Sequence, residues 1–115
     1  MENIVKQIKN WHTTGTNSKH DPYWKEFVRD FKKTIKKELK EINVENIVFS
    51  VGHYYISGFF QLGEQNYYFS IPDVRHFSND MMMVRTAKDF NDYRGGSNNW
   101  IKMEKGLFKK FFNIN

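Results

Sequence analysis

A chain of 115 residues with 18 Lys and Arg, 13 Asp and Glu, and no Cys carries a net charge of +5. One core of ordinary size fits that length, and the absent thiols exclude disulfides, thiolate metal sites and cysteine nucleophiles. The charge favours acidic partners, and aromatic residues, at 17% of the chain, make rings the main core material.

Residues 2–11 place Ile4, Val5, Ile8 and Trp11 at helical spacing, which predicts a short packing arm. The stretch 13–19, TTGTNSK, is a loop by composition. The opening residues lack the apolar segment and cleavage site of a secretory signal, and no apolar run nears the roughly 20 residues that cross a bilayer. A cytoplasmic protein without membrane contact is the expectation.

The chain is organised around residues 21–42, DPYWKEFVRDFKKTIKKELKEI. Asp21 supplies a helix-starting acceptor, and Pro22 sits where its missing N–H is harmless. Trp24, Phe27, Val28, Phe31, Ile35, Leu39 and Ile42 recur at steps of three and four, so they form one apolar stripe that must face a core. The charges beside it are sorted: Lys25, Arg29, Lys32, Lys33, Lys36 and Lys40 on one flank, Glu26, Asp30, Glu38 and Glu41 mostly on the other. Neighbours four apart on the basic flank are themselves basic, which costs helix stability. A solvated face and an anion- or nucleic-acid-binding face are both open readings of it.

Beyond residue 42 the hydrophobic period changes from about 3.6 to 2. Residues 46–51 and 53–62 read as strands, 63–66 as a hairpin connection, and 67–71 as the returning strand, closed by Pro72. Residues 81–87 predict a further strand, 89–99 a turn-rich connection, 100–103 a last strand, and 104–112 a short terminal helix. The sum is a single α+β domain, a long amphipathic helix packed on a three- to five-stranded, mainly antiparallel sheet with short terminal helices. Alternation puts Tyr54, Ile56, Phe60 and Leu62 on one sheet face and Tyr55, Phe59 and Tyr68 on the other. If the first set meets the long helix, the second is covered by the terminal helices, forms a partner or oligomer interface, or offers a stacking platform for unpaired bases.

The segment 84–100, VRTAKDFNDYRGGSNNW, combines the cations Arg85, Lys88 and Arg94 with Gly95, Gly96 and the neutral donor Asn98. Such a loop can cradle a phosphate, or be a tight connection in which the glycines serve backbone geometry. Asp73, Arg75 and His76, with Asp80 close behind, put carboxylate, guanidinium and imidazole after a strand end, where a metal-dependent nuclease or hydrolase could use them. Local pairing of Asp73 with Arg75 is the simpler account. None of the four histidines makes an HExxH or His-x-His pair, so no metal or cofactor is expected.

The residues from Tyr67-Tyr68-Phe69-Ser70 through Asp73-Val74-Arg75 to Arg85-Thr86-Ala87-Lys88, Asp92-Tyr93, Gly95-Gly96 and Asn98 resemble small proteins of unassigned function from Gram-positive phages, plasmids and integrative elements. The resemblance spans the C-terminal half and implies an accessory, mobile-element context without an activity or site residues. The expectation from all this is a non-catalytic module that binds nucleic acid, or a host nucleoprotein complex, through the basic helix flank and the 85–98 cations. The alternative is an inhibitor or adaptor docking on an acidic host protein, as a monomer or an oligomer, and the third reading is an enzyme built on Asp73, His76 and Asp80.

Overall fold

The apolar stripe and the start signals around Asp21 yield a helix over Asp21–Lys40 (α2), preceded by a helix over Glu2–Thr14 (α1). The computed structural model describes the backbone of residues 1–14, 21–75 and 80–114, and the side chains of these except 11–14, 21, 22 and 93. Of the loop expected at 13–19, Thr13 and Thr14 instead continue α1, and the rest of it, the Trp11 contact, the Asp21 cap and His76 lie outside the described residues or side chains. α2 closes in a Schellman arrangement: Asn43 takes the left-handed conformation (φ 63°), its N–H donates to the Lys40 carbonyl at 3.0 Å, and the Val44 N–H donates to the Leu39 carbonyl at 3.0 Å. The last turn thus delivers Ile42 and Val44 into the core, both at most 4% exposed.

Six strands follow: β1 (Ile47–Val51), β2 (Ile56–Leu62), β3 (Gln65–Ile71), β4 (Met81–Asp89), β5 (Asp92–Gly95) and β6 (Asn99–Lys102). The chain ends in a short helix, Leu107–Phe111 (α3). All pairings are antiparallel in the order β1-β2-β3-β4-β5, and β6 also pairs β4. β6 covers residues 81–84 of β4 while β5 pairs at Ala87 and Asp89, so the two short strands share one edge position. The sheet is therefore five positions wide but six strands long in sequence. β5 was unforeseen because it is four residues of turn-like composition, recruited by the neighbouring β4 ladder.

Register fixes the faces. Phe60 stands opposite Ile47 and Tyr67, and Phe69 opposite Gly58 and Val84, on the face that meets α2. Gly58 is needed there: a Cβ would lie 2.4 Å from the Val48 carbonyl and 2.6 Å from the Phe69 ring, which packs edge-on against Phe49. The core runs from Phe27, Phe31, Ile35 and Leu39 of α2 onto Ile56, Phe60 and Phe69, all fully buried. α1 adds Ile4 and Ile8 to this same core, and α3 adds Leu107 and Phe108, whose ring meets Phe60 at 5.3 Å.

Two expectations are corrected here. Residues 53–55 are not strand: they turn between β1 and β2, and Tyr54 has φ 64° and packs under Trp24 at 5.1 Å. The terminal helices do not cover the second sheet face. Their apolar residues join the α2 side, where the largest aromatic surface already lay, and among the described residues no helix packs on the opposite face.

Candidate functional site

The two charged flanks of α2 meet different fates. The acidic flank is used in packing: Asp30 Oδ2 accepts from Gln7 Nε2 of α1 at 3.4 Å, and the buried Glu38 carboxylate accepts the Gly106 N–H at the start of α3 at 3.1 and 3.3 Å. Glu41 pairs with Lys109 of α3 at 3.9 Å. The basic flank finds no such partner. Among the described residues no carboxylate lies within ion-pair distance of Lys25, Lys32, Lys33, Lys36 or Lys40, and Arg29 pairs only with its neighbour Asp30, at 3.7 Å and with 73% of its side chain exposed. Lys32 and Lys36 lean over the Phe49 ring of β1, each with Nζ 5.9 Å from the centroid, and Lys25, Lys33 and Lys40 are exposed. The result is a basic ridge along the outside of α2, beside the β1 edge.

The 85–98 cations lie elsewhere. Arg85 and Lys88 belong to β4, three strand positions from β1, and Arg94 to β5, four positions away, or about 14 and 19 Å at a spacing of about 4.8 Å. The single surface expected from the sequence is divided by the topology: Arg94 lies on the edge opposite β1, and Arg85 and Lys88 one strand in from it. Their local chemistry differs as well. Arg94 donates through Nε and Nη2 to Asp92 at 3.0 and 3.2 Å, which holds the Asp92 carboxyl below its ordinary range, chiefly through that side-chain hydrogen bond. Arg85 lies over the Tyr68 ring at 5.1 Å and donates to Asn98 Oδ1 at 3.2 Å, leaving Lys88 exposed nearby.

The glycine pair serves the backbone. A Cβ on Gly95 would stand 1.7 Å from the Thr86 carbonyl oxygen, so only glycine lets β5 approach β4 this closely. The Gly96 N–H donates to the Thr86 carbonyl at 3.2 Å and to Thr86 Oγ1 at 3.1 Å. The donor that a phosphate cradle would need is thus engaged within the fold.

The second sheet face is built by register. Val48, Phe59, Tyr68 and Arg85 form one cross-strand row from β1 to β4. Phe59 meets Tyr68 at 5.2 Å and stacks on Phe90 at 5.7 Å, so these rings are half-buried against one another. The next row is Ser50, Ser57 and Ser70, continued by Met83 and Trp100. Ser57 and Met83 in this row are buried, at 8% and 6% exposure, while Ser50 and Trp100 at its ends, and Tyr55 before β2, are exposed. Phe59 and Tyr68 were legible from alternation, whereas Tyr55 lies in the turn before β2; Val48, Phe90, Trp100 and the serine row were not legible, since only the fold brings them together.

Asp73 is held by Arg75, whose Nε and Nη2 donate to the two carboxylate oxygens at 3.0 and 2.7 Å, and the guanidinium lies 4.3 Å over the Tyr54 ring. The Asp73 hydrogen bond raises the Arg75 pKa further. The local pairing therefore holds. The Asp80 carbonyl accepts the Met103 N–H at 2.6 Å, tying the start of β4 to the end of β6, and its side chain borders a groove of about 1110 Å³ between α1, α2 and the β6–α3 connection. That groove mixes lysines with carboxylates. Among the described residues no three His, Asp or Glu side chains are placed to hold a metal ion.

Comparison with protein-family models, curated proteins and solved structures finds no match to this chain. None of its described helices is long and apolar enough to cross a membrane.

Proposed function

We propose that the chain is a non-catalytic accessory module, of mobile-element origin, that binds nucleic acid or a nucleic-acid-bound protein complex through the basic ridge of α2. The observation that supports this reading is the asymmetry of α2: Asp30, Glu38 and Glu41 of its acidic flank are engaged by α1 and α3, while among the described residues Lys25, Arg29, Lys32, Lys36 and Lys40 have no partner from another helix and Lys33 borders the α1–α2 groove without an ion pair. Like charges at that spacing oppose helix formation, and a polyanion relieves the repulsion. Phosphate contacts supply the affinity with little sequence preference. The test is fluorescence anisotropy of labelled single-stranded DNA, duplex DNA and RNA at several salt concentrations. Engagement of three or four phosphates gives a log–log salt slope of about −3, and a flat slope would sink the reading.

A second reading rests on the exposed aromatics of the second sheet face. Exposed Trp100 and Tyr55 beside the Phe59/Tyr68 row are residue types that anchor protein interfaces, as an inhibitor or adaptor docking on a host protein would use. Capture of a host protein that survives nuclease treatment and is lost in Trp100→Ala favours this second reading over the first.

A further inference from the structure

One edge of the sheet is built to accept another strand. In β1 the Gly52 N–H donates to the Tyr55 carbonyl at 2.9 Å, and the register 47↔60 to 51↔56 runs on from that pair without a shift. Hydrogen-bonded and non-hydrogen-bonded pairs alternate along an antiparallel ladder. Ser50 and Val48 therefore turn their N–H and C=O groups toward β2, and Ile47, Phe49 and Val51 turn theirs outward. Among the described residues nothing pairs with that outward row. Edge strands are ordinarily guarded by a charge, a proline, a bulge or brevity. The opposite edge has such guards in its two four-residue strands and the irregularity between Ala87 and Asp89. β1, with the sequence IVFSV, has none of its own.

What lies beside it decides the occupant. Lys32 and Lys36 overhang Phe49 on the helix side, while Val48, 46% exposed, and Ser50 face the open side. Antiparallel pairing of β1 with a second copy about a two-fold axis would put both α2 helices on one face of the joined sheet, with the two Lys32/Lys36 pairs confronting each other across strands about 4.8 Å apart. Like charges oppose that assembly. We propose that β1 is a β-augmentation site for an extended segment of a protein partner in which acidic residues alternate with apolar ones. Its acidic side chains lie under Lys32 and Lys36, its apolar ones lie beside Val48, and its main chain completes the bonds of Ile47, Phe49 and Val51. This goes beyond nucleic-acid binding, which also uses the outward cations Arg29 and Lys33.

The test uses an acetylated heptapeptide alternating Val and Glu, with an alternating Val and Lys peptide as control, read by NMR and amide exchange on the full chain. The expected result is saturable binding of the Glu peptide alone, with slowed exchange at the amides of Ile47, Phe49 and Val51. Val51→Pro, which removes one outward donor and spares the β2 ladder, weakens binding about fivefold, the worth of one main-chain hydrogen bond. Lys32→Glu with Lys36→Glu weakens it about tenfold at low salt. Unchanged exchange at those amides under millimolar Glu peptide, equal binding of the Lys peptide, or edge amides already protected in a concentration-dependent dimer would each overturn the proposal. Val51→Pro leaves nucleic-acid affinity intact, so this result and the salt slope stand or fall separately.

Discussion

The two edges of the sheet both carry cations, and they use them in opposite ways. At the β5/β6 edge Arg94 is bound to Asp92, Arg85 lies on Tyr68 and bonds Asn98, and the glycine pair is pressed against Thr86. At the β1 edge, among the described residues, Lys32 and Lys36 lie over an aromatic ring, Arg29 pairs with the adjacent Asp30, and Lys25, Lys33 and Lys40 are exposed without an ion pair. The difference teaches that counting cations does not locate a binding surface. What matters is whether the fold has already supplied their counter-charges, because a cation held by a local carboxylate gains less from a phosphate than one without.

The largest test of this contrast is charge reversal. Lys32→Glu with Lys36→Glu should lower nucleic-acid affinity about a hundredfold at low salt and flatten the salt slope, whereas Arg94→Glu should change affinity by about twofold or less; anisotropy titrations read both. Equal losses at the two edges would erase the distinction. Next in size is backbone geometry. Gly95→Ala must push β5 off the Thr86 carbonyl and should destabilise the fold by about 1–3 kcal/mol in denaturant unfolding. At the β1 edge, Ser50→Ala should stay within about 0.5 kcal/mol of the parent, since that residue is exposed.

The smallest effect is a titration. The Asp92 carboxylate, held below its ordinary range by the Arg94 hydrogen bond, contributes stability above the unfolded carboxylate pKa and loses it as pH falls through the lowered folded value. Carbon-detected NMR should find Asp92 titrating below an ordinary aspartate, and Arg94→Ala should return it upward. An unmoved Asp92 in that variant would mean that the Arg94 pairing is not what distinguishes this edge.

Much of the architecture was written in local pattern. The stripe from Trp24 to Ile42 could only be an amphipathic helix, because no other structure gathers residues three and four apart, and the alternation through Ile56, Phe60 and Tyr67 to Ile71 could only be half-buried strands. Asp73 and Arg75 pair within two residues, a distance that composition can see. Tyr54 misled, since its parity fits β2 while a left-handed turn carries it there from outside the strand.

By itself, then, the sequence determined the helices, every strand but β5 to within a few residues, the two side-chain sets of the sheet and the sorting of charge around α2, all of which depend on neighbours within about two helical turns. Only the tertiary structure decided which sheet face meets the helices, that α1 and α3 join α2 on that side, that Asp30, Glu38 and Glu41 are engaged in packing, and that Arg94 lies at the edge opposite β1. Those outcomes depend on strand order, on register and on competition between apolar surfaces far apart in the chain. Side-chain period carries no record of them, which is why the separation of the cations showed only once β1 and β5 were placed at opposite edges.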